Sequence, residues 1–229
     1  MVVVLTGAGI SAESGLSTFR GDDGLWEGHR PEDVATPEAF EADPVTVQRF
    51  YDERRASLAD VEPNAAHRAL ARLELALGDD FLLVTQNIDD LHERAGSKRV
   101  IHMHGRLDAA RCTECGMASH WTGTLVDDPP CPFCAKRELR PDVVWFGEVP
   151  HGLVEIDRSL RRARLFCSVG TSGMVYPAAG FAVFADAVGA HTVELNLEPN
   201  EGGTRFSEHH HGPATQVVPA WVEEQLTVR

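Results

Sequence analysis

Long hydrophobic runs are missing from this 229-residue chain. No apolar stretch approaches the roughly 20 residues that a bilayer-spanning helix needs, so no membrane span is expected. Positive charge is also scarce. The 21 Lys and Arg stand against 35 Asp and Glu, a formal charge of −14, whereas nucleic-acid binding needs clustered cations to neutralise phosphates. The start, Met1–Ile10, carries no basic residue ahead of its short apolar run, so it does not read as a secretory leader. Cysteine is limited to five residues, and four of them form two Cys-x-x-Cys pairs. That usage fits a metal in a reduced compartment better than a disulfide framework. A cytoplasmic protein that binds neither nucleic acid nor membrane is therefore expected, and its acidic balance suits partners with basic residues.

What is present suffices for one large core with a smaller insert. Residues 2–5 are a continuous apolar, mostly β-branched run, as in a parallel strand buried on both faces. Similar short runs predict strands at 81–85, 99–103, 163–170, 191–196 and 215–219. Between them, residues 64–78 show helical periodicity through Ala66, Ala69, Leu70, Leu73 and Leu77, with Gly78 as C-cap. Residues 176–190 read as a further helix with Pro177 in its first turn. Alternating strands and helices predict an α/β fold, a Rossmann-like doubly wound parallel sheet. Two segments break the rhythm: 31–62, acidic and helical with Asp43 as N-cap and Pro44 as first residue, and 108–140, which holds the cysteine pairs. The expected division is 1–30, 63–107 and 141–229 in the larger domain, with 31–62 and 108–140 as a small helical, zinc-binding one. The run His209–His211 reads as a solvated loop rather than a metal site, because its members are sequence neighbours.

Gly7, Gly9 and Ala12 form a G-x-G-x-x-A array directly after the first strand. Glycines there permit a tight turn and close approach of a pyrophosphate to backbone N–H groups. The array alone is also compatible with a plain strand–turn–helix junction. The acidic residue that a dehydrogenase would carry about 20 positions on is absent; Asp22 and Asp23 fall in a glycine-flanked loop instead. Cys112-x-x-Cys115 and Cys131-x-x-Cys134, 15 residues apart, match a four-thiolate zinc site with no position open for catalysis. Cys167 reads as an inert strand residue. Gln86, Asn87 and Asp89 follow one strand end, where α/β folds bind ligands, although Asn87 or Asp89 could merely cap the next helix. His102 and His104 alternate, so only one faces a cleft, and Gly105 leaves His104 accessible. Gly170-Thr171-Ser172 and Asn196-Leu197-Glu198 follow two further strands.

Taken in order, GAGISAESGLSTFRG, TQNID, HMHG, the two Cys-x-x-Cys pairs, VVWFGE, GTS and NLE resemble the sirtuins, NAD-dependent protein-lysine deacylases, over nearly the whole chain. The resemblance implies that Gly7, Ala8, Gly9, Ile10, Glu13, Phe19 and Arg20 hold the NAD pyrophosphate and cover the nicotinamide side. It places Gln86, Asn87, Ile88 and Asp89 at the nicotinamide ribose and carboxamide, and Gly170, Thr171, Ser172, Asn196, Leu197, Glu198 and Ala214 at the phosphate and adenosine end. His104 would be the general base, with Asn87 beside it in the reaction. Val144, Trp145, Phe146 and Glu148 would lie where a substrate backbone adds as a strand. The implied partners are acylated lysine side chains of proteins, NAD is consumed as co-substrate, one structural zinc is expected, and the chain is expected to be a monomer.

Tyr51 and Arg54 are three apart on a predicted helix and so share a face. In an arbitrary protein Tyr51 would pack and Arg54 would pair with Glu53 or Asp52. Here the pair resembles the Tyr-x-x-Arg of sirtuins whose acyl pocket accepts carboxylated groups, since a guanidinium fork and a phenol can together hold a succinyl or malonyl carboxylate. Ala56 and Ala59 would leave room for the longer chain. Deacetylase, desuccinylase and demalonylase activities are expected. A nicotinamide-dependent oxidoreductase on the same fold and a zinc-ribbon binding module are the rival readings.

Overall fold

The computed structural model describes residues 1–17, 26, 28–200 and 202–227. Its strands, in chain order, are β1 (Val2–Thr6), β2 (Phe81–Thr85), β3 (Val100–His102), β4 (Gly105–Cys112), β5 (Ala118–His120), β6 (Leu139–Val143), β7 (Leu165–Val169), β8 (His191–Asn196) and β9 (Glu208–His211). The helices are α1 (Gly9–Ala12), α2 (Pro31–Val34), α3 (Pro37–Ala42), α4 (Pro44–Ser57), α5 (Ala65–Leu77), α6 (Leu91–Arg94), α7 (Leu153–Leu160), α8 (Phe181–Ala187) and α9 (Ala214–Thr227).

Every residue of β1, β2 and β7 is buried. That burial requires cover on both faces, and the continuous apolar runs anticipate it. Successive side chains point opposite ways. Val2 and Val4 therefore pack with Leu70, Leu73, Val218 and Trp221 of α5 and α9. Val3 and Leu5 pack with Ile156, Leu160, Ala182 and Ala185 of α7 and α8. The six strands are parallel in the order β3-β2-β1-β7-β8-β9. Strand order reverses between β1 and β7, so a crevice opens at their C-terminal ends, where such folds bind ligands. The expected doubly wound α/β fold with a smaller insert is therefore present.

The second sheet, β5-β4-β6, is antiparallel. It reaches into residues 105–107 and 141–143, which the sequence reading assigned to the larger domain. Ala110, Cys112, Leu125, Cys131 and Leu139 form its core. Helix α4 starts as expected: Asp43 Oδ1 accepts the Thr46 N–H at 3.1 Å and Pro44 follows at the first position. Asp52 then ties α4 to the small sheet, accepting the amides of Leu125 and Val126 at 2.7 and 3.0 Å. Arg55 donates to Leu107 O and Gly123 O.

Three expectations fail. Residues 215–219 are helical, within α9, although Thr215, Val217 and Val218 are β-branched and Pro219 lies inside the helix. Burial of Val218, Trp221 and Val222 at helical spacing against α5 outweighs the local preference. His209–His211 is part of edge strand β9 rather than a loop, because Val193–Asn196 of β8 offers it a ladder partner. The 176–190 helix is shorter than expected: a 3₁₀ turn occupies Ala178–Gly180 and α8 begins at Phe181, so Pro177 precedes the helix.

Candidate active site

The Gly7–Gly9 turn is shaped first by packing. Gly7 N–H donates to Val169 O at 2.9 Å and Gly9 N–H to Gly170 O at 2.8 Å, drawing the ends of β1 and β7 together. A Cβ on Gly7 would stand 2.7 Å from Gly170 O, and one on Gly9 2.8 Å from Gly170 Cα. The glycines are thus required by the neighbouring loop before any ligand arrives. Gly105 has a similar cause: a Cβ there would meet Asp142 O at 2.0 Å. Accessibility of His104 is a by-product.

Behind the crevice runs a buried polar network. Thr6 Oγ1 donates to Thr85 Oγ1 at 2.8 Å and lies 2.9 Å from His92 Nε2. Ser11 Oγ donates to Asp89 Oδ2 at 3.1 Å and accepts from Asn87 Nδ2 at 3.1 Å. Asp89 Oδ1 accepts the Leu91 N–H. Burial raises the Asp89 carboxyl above the usual carboxylate value. These bonds lock Asn87 and Asp89 in place. Ser11 is the hub of this network, and no expectation named it; its position directly after Gly9-Ile10 was the available signal.

His104 Nδ1 lies 3.1 Å from Gln86 O. A carbonyl can only accept, so Nδ1 carries the proton and Nε2 keeps a free lone pair. Burial lowers the pKa of this imidazole below its usual 6.5. His102, by contrast, is buried, with Nδ1 on Asn87 O and Nε2 on Glu93 Oε1. It is a structural histidine, and only His104 meets the crevice.

A cavity of about 690 Å³ joins these elements. Of the expected cofactor residues, Gly7, Ala8, Gly9, Glu13, Gln86, Asn87, Ile88, Asp89, Gly170, Thr171, Ser172, Asn196, Leu197, Glu198 and Ala214 line it. Ile10 does not, because its side chain is fully buried in the core between the sheet and α5. Phe19 and Arg20 lie outside the described residues. Glu13 reaches across to α9, accepting the N–H and hydroxyl of Thr215 at 2.9 and 2.7 Å. Gln86 Nε2 donates to Thr171 Oγ1 and Asn196 Nδ2 to Thr171 O, both at 3.0 Å, which aligns the adjoining strand ends. Volume and lining suit a dinucleotide-sized ligand: an apolar trough with polar groups convergent from separate strand ends.

The far end of the cavity lies between the two sheets. His104, Tyr51, Arg54 and Val144–Glu148 border it, together with Trp26, Ala35, Leu107 and Val143, which the sequence reading did not single out. Tyr51 is fully buried and accepts the Trp145 indole N–H at 3.1 Å; burial also raises its phenol pKa. The Arg54 guanidinium lies 4.6 Å over the Trp26 ring. Ala56 and Ala59 are exposed and outside the cavity, so they make no room in it. Asp52 pairs with Arg55, not Arg54. Glu148 is engaged within the chain, holding Arg140 in two bonds of 2.7 and 3.0 Å and the Trp145 amide at 2.8 Å. The amides of Val144 and Phe146 bond His104 O and Ala35 O.

In the small sheet, Cys112 Sγ lies 3.7 Å from Cys134 Sγ, and Cys115 Sγ 3.8 Å from Cys131 Sγ. Four thiolates on a zinc ion at about 2.3 Å would be spaced about 3.8 Å along each tetrahedral edge. The donor set therefore fits zinc. These separations are far too long for disulfides.

A parallel doubly wound sheet, a ligand-sized crevice at its switch point and an inserted four-cysteine module define an α/β protein with a second, smaller lobe. Residues 7–177 match the family model described as "Sir2 family". The chain is 60% identical over 229 residues to a Yersinia pseudotuberculosis protein named "NAD-dependent protein deacylase", covering 99% of this chain and 82% of that one. It is 59% identical over 228 residues to the Escherichia coli K12 protein of the same name, covering 98% and 82%. Among solved structures, a Sir2 homologue–NAD complex matches with TM-score 0.88 and 40% identity, covering 99% of this chain and 90% of the other. A Sir2 complex with a deacetylated peptide and 3'-O-acetyl ADP-ribose matches with TM-score 0.84 and 32% identity, covering 98% and 93%. The chain belongs to the Sir2 family.

Proposed function

We propose that this protein removes acyl groups from lysine side chains of proteins while consuming NAD and one water, which releases the amine, so that the products are nicotinamide, O-acyl-ADP-ribose and free lysine. The observation that carries the reading is the tautomer of His104: Nδ1–H is committed to Gln86 O, so Nε2 is a base at the junction of the cavity's two ends. Bound NAD supplies an electrophilic ribose carbon with nicotinamide as leaving group. Asn87 and Asp89, held through Ser11, orient the ribose and carboxamide, so little reorganisation is needed when the acyl oxygen approaches. His104 Nε2 then accepts a proton from a ribose hydroxyl. The lysine enters between the sheets, with its backbone along Val144–Phe146 and the remaining polar groups of that segment as its partners. Four cysteines hold a structural zinc that keeps the small sheet, and through Asp52 and Arg55 helix α4, in position. The division into a larger domain and a small one of 31–62 and 108–140 separates the NAD end from the acyl end.

At the acyl end, Tyr51 and Arg54 bind the carboxylate of succinyl or malonyl groups, which extends the activity beyond deacetylation. Tyr51 accepts from Trp145 and so offers its own proton, while the stacked guanidinium offers a fork. Mass spectrometry with NAD and peptides carrying acetyl- or succinyl-lysine tests both levels. Free nicotinamide with both O-acyl products is expected. Turnover of the acetyl peptide alone would remove the carboxylate role, and reduction of NAD without nicotinamide release would favour the oxidoreductase reading.

A further inference from the structure

At the outer edge of the parallel sheet, two histidines converge on one buried carboxylate. His209 and His211 are two apart in β9 and so project to the same face. Glu194 of β8 pairs in register with His209. Its Oε2 is 3.0 Å from His209 Nδ1 and 3.4 Å from His211 Nε2. The three ligand atoms all lie within 4.8 Å of one another. The Glu194 side chain is 3% exposed, whereas the imidazoles are 43% and 37% exposed. That the three histidines are neighbours in the chain does not preclude a metal here, because strand alternation turns His210 to the other face and brings in a carboxylate 15 residues upstream of His209.

A buried carboxylate needs compensating charge. Among the described residues no Lys or Arg forms an ion pair with Glu194; its partners are the two imidazoles and the Asn200 N–H, which donates to Oε1 at 3.1 Å. A divalent ion held between the carboxylate and the two imidazoles would supply that charge. The spacing suits one: bonds of about 2.1 Å from imidazole nitrogen and carboxylate oxygen subtend about 3.0 Å at right angles and about 3.4 Å at the tetrahedral angle.

We propose that Glu194, His209 and His211 form a second metal site, taking a first-row divalent transition ion such as Ni²⁺ or Zn²⁺ through one carboxylate and two imidazoles, with the remaining positions open to water. His211 leads directly into Gly212, whose N–H donates to Asn196 O at 2.9 Å, and Gly212, Asn196 and Asn200 all line the cavity. Occupancy therefore bears on the loops at the end of the crevice given to the adenosine. The opposite face of β9 offers His210 with Glu208 and Glu224, but these carboxylates are not buried and lack the same need for a cation.

Protein with zinc on its cysteines is titrated with Ni²⁺ alone in a calorimeter, without NAD or peptide. One Ni²⁺ per chain is expected for the unsubstituted protein and for His210→Ala. Loss of that binding is expected for the double variant His209→Asn/His211→Asn and for Glu194→Gln. Melting curves without Ni²⁺ confirm that each variant folds, and Ni²⁺ should raise the melting temperature of the unsubstituted protein but not of the double variant. Absent binding in the unsubstituted protein, full binding in folded Glu194→Gln, or loss in His210→Ala would each overturn the assignment. The exposed partners of the double variant keep the test open if Glu194→Gln does not fold.

Discussion

The Trp145 indole donates to the Tyr51 hydroxyl across 3.1 Å, and this bond ties helix α4 to the segment that borders the cavity after β6. Both side chains are buried, with Trp145 2% and Tyr51 0% exposed. Burial raises the phenol pKa, so Tyr51 stays neutral and can donate its proton.

Acyl selectivity should follow from that arrangement. Arg54→Glu is expected to abolish desuccinylation and demalonylation and largely to spare deacetylation. Tyr51→Phe should lower desuccinylation by roughly 10-fold, the worth of one hydrogen bond to a charged group. It should also cost about 1–3 kcal/mol of stability by leaving the Trp145 N–H buried without an acceptor. Parallel kcat/KM values for acetyl and succinyl peptides check this; equal losses on both would point to a folding defect.

His104→Ala should stop turnover while NAD binding, read by calorimetry, persists. Because burial lowers the His104 pKa, its neutral, basic form survives below pH 6.5. Activity should therefore fall on acidification with a midpoint below 6.5. A midpoint above 6.5 would contradict the role assigned to this ring.

Two other buried histidines make the fold sensitive to acid. Burial lowers His67 to about 4, and burial takes His92, at the centre of the Thr6–Thr85 network, well below 6.5. The unfolded chain takes up protons that the folded rings refuse, so their contribution is complete above pH 6.5 and is lost as pH falls towards 4. For His67 alone, 6.5 to 4 corresponds to about 3 kcal/mol. Melting temperatures measured from pH 7.5 to 4.5 should decline across that window, and His67→Gln should flatten the decline.

Both Cys-x-x-Cys turns pass through a left-handed residue, Gly116 after Cys115 and Ala135 after Cys134. Each N–H donates to the carbonyl of the first cysteine, Cys112 or Cys131, at 2.9 Å. Only glycine adopts this conformation without strain, so Ala135→Gly should stabilise the zinc-loaded protein by about 1 kcal/mol, or about 2–4 °C. Chelation should instead unfold the small sheet and, through Asp52 and Arg55, loosen α4, so that succinyl turnover is lost along with the metal.

Much of this was legible in the chain because it rests on local chemistry. Runs such as Phe81–Thr85 are too apolar to stand anywhere but the sheet's centre, and Asp43-Pro44 sets its own helix start. Cysteine spacing is likewise a local property, and the Sir2 motifs fall at strand ends that the runs locate. Helix α9 and strand β9 are not legible locally for the converse reason: Val217–Val218 and His209–His211 take their conformation from α5 and β8, partners distant in the chain.

By itself, then, the sequence determined the fold class and the clustered cysteine set, since apolar runs and Cys-x-x-Cys spacing are local properties of the chain. Tertiary structure alone decided that Ser11 organises Asn87 and Asp89, that Gly7 and Gly9 answer to Gly170, that Ala56 and Ala59 miss the pocket, and that Glu194 gathers two histidines. Each of these is a contact between separate elements. Hydrogen bonds and packing contacts act over a few ångströms in space, and no spacing along the chain encodes which elements the sheet will bring that close.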